Sequence, residues 1–283
     1  MITYFQAIIM GLLQGVSELF PVSSLGHSVL LPALLGWDNL VKSQSQSESF
    51  FLAFLVGLHC ATAIALLIFY RDKWAKIIKA FFKTLNTRKV ETSTERLAWL
   101  LIAATIPAGL VGLIFEHKLR VVFAKPLDAA IFLTINGIIL FAGERYRKTT
   151  LRNKAKRQLA SLEFKEAGLI GTAQVLALLA GISRSGITMV AGLVRGLSNE
   201  DAANFSFLLA TPIILGAGIY KLPDLLGPDG RGVIGQVLVG SVFAGIAAYF
   251  SVRFLTRYFQ TRSLSPFAIY SFVVGIIMIF RFA

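Results

Sequence analysis

The sequence is poor in cysteine and in charge. Cys60 is the one cysteine among 283 residues, so an internal disulfide and a multi-cysteine metal site are both excluded. Charged residues make up 15% of the chain, where a soluble globular domain carries about a quarter. Histidine is also scarce, with three copies. No zinc-type Cys/His spacing, no Gly-rich phosphate loop and no nucleic-acid-binding module is found. The apolar N-terminus lacks a basic leader and a small-residue cleavage site, so it does not read as a cleaved signal peptide.

What is abundant is apolar. Hydrophobic residues make up 55% of the chain, and the mean hydropathy is +0.70. Runs such as FFLAFLVGLHCATAIALLIFY are apolar on every side, unlike the striped helices of a soluble bundle. Six segments are long enough to cross a bilayer, at 50–70, 98–116, 128–144, 204–221, 233–252 and 266–282. The TP pair at 211–212 is expected to kink its span. Two further apolar regions, 2–36 and 166–197, are broken near their middles by Gly, Pro, Ser and charged residues. Each reads as two short helices joined by a polar turn that dips into the bilayer and returns.

The loop charges fit this layout. Residues 71–97 hold eight Lys/Arg against three Asp/Glu, and residues 144–166 hold the same balance. Arg253, Arg257 and Arg262 stand in 253–264 with no acid. By the positive-inside rule these loops are cytoplasmic. The net charge of +13 then reflects basic loops facing anionic lipid rather than nucleic acid. The expected fold is an all-α integral membrane protein with six transmembrane helices and two re-entrant helical hairpins, arranged as inverted-topology repeats. The repeats cover about 1–145 and 166–283 and are joined by a basic cytoplasmic loop. At an offset of 160, Gln14 matches Gln174, Ser23 matches Ser183 and Gly26 matches Gly186.

The chemistry concentrates in the two broken regions, at SELFPVSSLGHS (17–28) and AGISRSGITM (180–189). Gln14 and Glu18 are four apart and share a helix face. A carboxylate in an apolar segment is expensive, so Glu18 is a functional candidate. Pro21 ends the first short helix, and Ser23 and Ser24 stand where the next begins. His27 follows within the first turn and can exchange a proton or attack an electrophile. Arg184 demands a partner inside a bilayer, and a structural pair with Glu18 is one answer. Ser183, Ser185 and Thr188 surround it at a helix start, which suits a phosphate. A divalent cation on Glu18 and the phosphate oxygens would neutralise charge. These groups fit phosphoryl chemistry on a lipid or transport of an anion, and the residues alone do not choose. His59, within a span and without an acid near it in sequence, reads as a packed core histidine.

The stretches QGVSELFPVSSLGH (14–27), GISRSGIT (181–188), FSFLLATP (205–212) and SPFAIY (265–270) resemble the undecaprenyl-pyrophosphate phosphatase family, also called the bacitracin-resistance family. The resemblance implies hydrolysis of a C55 polyprenyl pyrophosphate to the monophosphate, which recycles the lipid carrier of cell-wall synthesis and gives bacitracin resistance. It also implies Mg2+ or Ca2+ as a cofactor, a possible homodimer, and a multi-pass protein of the bacterial inner membrane whose site opens to the outer face. The family's Glu/Gln-x-x-x-Glu motif falls on Gln14 and Glu18, the expected metal-side residues. Glu18, Ser24, His27 and Arg184 are the expected catalytic residues. Ser23, Ser183, Arg184, Ser185 and Thr188 are the expected substrate contacts. Gln14 stands where a second carboxylate is allowed, which weakens any mechanism needing two.

Overall fold

The structure is a computed structural model. It describes residues 2–44, 50–123, 125–150, 157–221 and 231–283, with 223 and 227. The described residues are almost entirely helical. The first four helices are α1 (Tyr4–Ser17), α2 (Ser24–Leu34), α3 (Asp38–Gln44) and α4 (Phe50–Phe69). Then come α5 (Arg71–Thr87), α6 (Ser93–Phe123), α7 (Pro126–Thr150) and α8 (Phe164–Gln174). The last four are α9 (Arg184–Val194), α10 (Asn199–Tyr220), α11 (Ile234–Thr261) and α12 (Ser265–Phe282).

Among the described residues, five helices, α6, α7, α10, α11 and α12, are long and apolar enough to cross a membrane. A sixth candidate is the α4–α5 pair, which bends by 87° between Phe69 and Arg71. The sequence reading treated 71–97 as a loop, but 71–87 is helix. Its pattern explains the difference. Ile77 and Thr84 are buried while Ile78, Phe82 and Leu85 lie exposed among lysines, the mark of a helix lying along a surface rather than through it. Lys83 Nζ reaches Glu95 Oε1 at 2.9 Å, and Trp99 Nε1 donates to Thr84 Oγ1 at 3.0 Å, which ties α5 to α6. α10 runs as one helix through Pro212.

The short helices are held by close backbone contact. α1 lies along α11, where a Cβ on Gly11 would stand 2.3 Å from the Gly240 carbonyl oxygen. α8 lies on α6, where a Cβ on Gly171 would stand 2.2 Å from the Ala104 oxygen. Small residues permit such approaches, and packing is what holds helices together in lipid. Ile2 and Leu40, which flank α1 and α2, bury in one cluster. Arg157 bonds Glu166 in the first turn of α8, at 2.7 Å, and the carbonyl of Arg195 just after α9, at 3.2 Å.

Candidate active site

The turns between α1 and α2 and between α8 and α9 cross each other. Ser23 caps α2 by accepting from the Gly26 amide at 3.1 Å, and the same hydroxyl oxygen accepts from the Gly181 amide at 3.2 Å. Ser23 adopts φ 70°, a left-handed conformation costly for a residue with a side chain. Gly181 has φ +114°, and an added Cβ there would stand 2.5 Å from the Ala129 oxygen. Ser183 caps α9 through the Gly186 amide at 3.1 Å. Ser185 Oγ donates to the Phe20 carbonyl at 3.2 Å. Asn136 of α7 clamps the crossing from outside. Its oxygen accepts from the Ser183 amide at 3.0 Å, and its nitrogen donates to the Pro21 carbonyl at 3.0 Å and to Ser271 Oγ at 3.2 Å.

The N-termini of α2 and α9 are therefore brought together. Each serine cap satisfies one amide, while a helix start presents several amides without an intrahelical partner. Two such ends, each carrying the positive pole of its helix, favour an anion.

Beside them sits a buried charge network. Glu18, 7% exposed, follows α1. Its Oε1 accepts from Arg184 Nη2 at 3.0 Å across 166 residues of sequence. Its Oε2 accepts from Gln14 Nε2 at 3.1 Å and from the Ser24 hydroxyl at 2.5 Å. Arg184 Nη1 also donates to the Ser206 carbonyl at 3.3 Å, while its Nε has no partner among the described residues. A guanidinium with a free N–H beside paired helix starts is equipped to take a phosphate oxygen.

The sequence-expected residues divide into three groups. Gln14, Glu18, Ser24 and Arg184 are in direct contact. Ser23, Ser183, Ser185 and Thr188, the expected substrate contacts, each bond the protein, Ser23 only as an acceptor. Thr188 Oγ1 bonds the Arg184 carbonyl at 2.8 Å and Ser206 Oγ at 2.7 Å, and Ser183 Oγ pairs with Ser185 Oγ at 3.0 Å. Buried hydroxyls in apolar surroundings must find such partners. His27 stands apart from the Glu18 network. Its Nδ1 bonds the Ser23 carbonyl and its Nε2 the Tyr270 hydroxyl, each at 2.8 Å.

Three residues without a sequence signal of their own join the site, and His59 departs from its expected role. His59 is not merely packed: its Nε2 faces Glu18 Oε2 at 3.5 Å. Asn136, Ser206 and Tyr270 reach the site from α7, α10 and α12. Ser206 and Tyr270 lie in FSFLLATP and SPFAIY, stretches quoted above without a role. Position within a conspicuous motif was the one available signal.

No full protein cage for Mg2+ or Ca2+ is present among the described residues; Glu18, beside Gln14, is the group that would hold such an ion together with substrate phosphates, with water completing its six to eight oxygen ligands. Here Glu18 is the one carboxylate in the network, and both of its oxygens already accept from protein donors. Among the described residues no group of three or more His, Cys, Asp and Glu could hold a metal.

The fold and the site together define a class: a protein that is helical throughout nearly all its described residues, with membrane-type spans, and that buries a Glu–Arg–Ser network where two short helix pairs meet. Comparison with known proteins narrows it. The family model for "Bacitracin resistance protein BacA" matches residues 7–277, and the chain belongs to that family. It is 52% identical to "Undecaprenyl-diphosphatase 2" of Frankia alni, covering 100% of this chain and 98% of that protein. It is 53% identical to "Undecaprenyl-diphosphatase" of Mycolicibacterium paratuberculosis over 97% of this chain and 95% of that one. "Undecaprenyl-diphosphatase 2" of Burkholderia thailandensis is 47% identical, with 95% and 93% covered.

Proposed function

We propose that this chain is a membrane enzyme that hydrolyses undecaprenyl pyrophosphate to the monophosphate and inorganic phosphate. That reaction returns the lipid carrier to cell-wall synthesis and goes with the bacitracin resistance for which the family is named. The observation that carries the reading is the Glu18–Arg184 pair, with the Ser24 hydroxyl bonded to the same carboxylate beside two converging helix starts. The names of the similar proteins agree with it.

In this mechanism Arg184 and the amides at the starts of α2 and α9 hold the pyrophosphate. Ser24 gives its proton to Glu18 as Oγ bonds the terminal phosphorus. The bond from that phosphorus to the bridging oxygen breaks, and polyprenyl phosphate leaves with the electron pair. Glu18 passes its proton to a phosphate oxygen. Water then attacks the phosphoserine, Glu18 takes the proton of the water, and Ser24 recovers it as inorganic phosphate departs. His27 Nε2 is the acid–base group that serves the phosphate oxygens. Ser23, Ser183, Ser185 and Thr188 act by locking the turns that carry the amides. No step is routed through a metal; a divalent cation, held on the protein side by Glu18 and Gln14, would neutralise phosphate charge.

The proposal includes six spans, two re-entrant hairpins, inverted repeats, a bacterial plasma-membrane location, a site opening outward and a homodimer. Packing supports the repeats: α1 lies on α11 as α8 lies on α6, with the halves exchanged. The loop charges support the orientation.

The competing class is a lipid carrier that binds the same anion without cleaving it. Phosphate release from polyprenyl pyrophosphate by the purified protein separates them. The assay runs with Mg2+, with Ca2+ and with chelator, beside Arg184→Ala. Release that the variant loses supports the enzyme. Folded protein that releases none in any condition supports the carrier.

A further inference from the structure

We infer that Tyr270 is a positioning residue for His27, orienting the ring and covering the nitrogen that the Ser23 bond leaves free to take a proton. The inference rests on the enzyme reading above. A backbone carbonyl can only accept, so the 2.8 Å contact between His27 Nδ1 and the Ser23 oxygen puts the ring proton on Nδ1. In the neutral ring Nε2 then carries the lone pair. The Tyr270 hydroxyl meets that lone pair at 2.8 Å and donates to it. The two rings also stack, with centroids 5.7 Å apart and planes 12° from parallel. His27 is thus held at both nitrogens and on one face. Ser23 holds it from within the crossing of the two turns, and Tyr270 holds it from α12.

Tyr270 is 43% exposed, so the phenol lies at the edge of the site rather than in its core. A phosphate oxygen can replace the phenol at Nε2 without disturbing the Nδ1 bond. Until it does, the hydroxyl keeps the basic nitrogen covered and the ring in its reactive orientation. The two residues are 243 positions apart, so no local pattern reveals the pair.

The test uses full-length protein in detergent. Tyr270→Phe keeps the ring stack and removes the hydroxyl. Two readouts are taken, turnover of polyprenyl pyrophosphate and ethoxyformylation of histidine by diethylpyrocarbonate, with His27 located by mass spectrometry. The reagent needs an uncovered ring-nitrogen lone pair. His27 is expected to label several-fold faster in Tyr270→Phe, and kcat to fall by about five- to tenfold with KM nearly unchanged, the scale of one hydrogen bond. In a His27→Gln background, adding Tyr270→Phe is expected to cost nothing more. Unchanged labelling with unchanged kcat overturns the inference, as does a loss that adds fully to that of His27→Gln. Wild-type protein that turns over no substrate would instead remove the enzyme reading, and the labelling result would stand apart from it.

Discussion

Glu18 and Arg184 pair opposite charges in a buried setting where an unpaired charge is costly. Removing one partner of a buried pair typically costs about 3–5 kcal/mol, because the other charge is left unpaired. Arg184→Ala is therefore expected to lower both activity and stability. Phosphate release should fall by about a hundred- to a thousandfold, and the melting temperature in detergent should drop. Glu18→Gln added to Arg184→Ala should recover part of the melting temperature and none of the activity. A double variant that melts no higher than Arg184→Ala would show that the pair carries little charge stress. Ser24→Ala should stop turnover while substrate still binds, which a binding assay with the intact lipid reads directly. The residues of this network that could be found in sequence were those that look wrong in an apolar stretch, namely Glu18, Arg184 and the serines. His59 and Asn136 were not legible. Their partners, Glu18 and the two turns, come from other parts of the chain, and a lone histidine or asparagine in a span looks like ordinary packing.

The short helices were readable from Gly, Pro and Ser interruptions, and their matching places in the two halves pointed to their meeting, but the individual contacts of the crossing were not, because no local pattern encodes which residue touches which. Gly181 shows how narrow the crossing is. With φ +114° and the Ala129 oxygen 2.5 Å from an added Cβ, Gly181→Ala must move α7 or the turn. Loss of folded protein or of all activity is expected. Gly168, with nothing within 4 Å of an added Cβ, is the control on α8 and should tolerate alanine. Asn136→Leu should be nearly as damaging as Gly181→Ala, since it strands the Ser183 amide and the Pro21 carbonyl, at about 1–3 kcal/mol each. A milder constraint acts at the far end of α8. The Arg157 guanidinium beside Glu166 holds its carboxyl below the ordinary carboxylate range. A lowered folded-state pKa stabilises above the unfolded value and stops doing so as pH falls through the folded one. The melting temperature should thus fall on acidification below about pH 4, the ordinary carboxylate value, and Arg157→Leu should flatten that dependence. The helix α5 was missed for a different reason. Its charges resemble a loop to the positive-inside rule, and its amphipathic period shows only when the apolar positions are followed at helical spacing.

For the whole molecule the decisive matter is whether α1–α2 and α8–α9 dip and return or cross. A dip leaves both ends of a pair on one side of the membrane, and a crossing puts them on opposite sides. The contacts of Arg157 with both ends of α8–α9 favour a dip, as does the shared cluster of Ile2 and Leu40. The loop charges agree, since a full crossing at 166–197 would place Arg253, Arg257 and Arg262 outside. The chain offers a direct test because it holds a single cysteine to remove. In a Cys60→Ala background, single cysteines are placed at Phe5, Asp38, Lys165 and Glu200, all exposed positions. Cells are then treated with a membrane-impermeant maleimide before and after permeabilisation. Phe5→Cys and Asp38→Cys should label in intact cells, and Lys165→Cys and Glu200→Cys only after permeabilisation. Members of one pair labelling from opposite sides would make that pair a span. One such pair would break the inverted symmetry, because the halves would no longer hold equal odd numbers of crossings. The Glu18–Arg184 contact would survive that outcome, but its placement between two re-entrant hairpins would not.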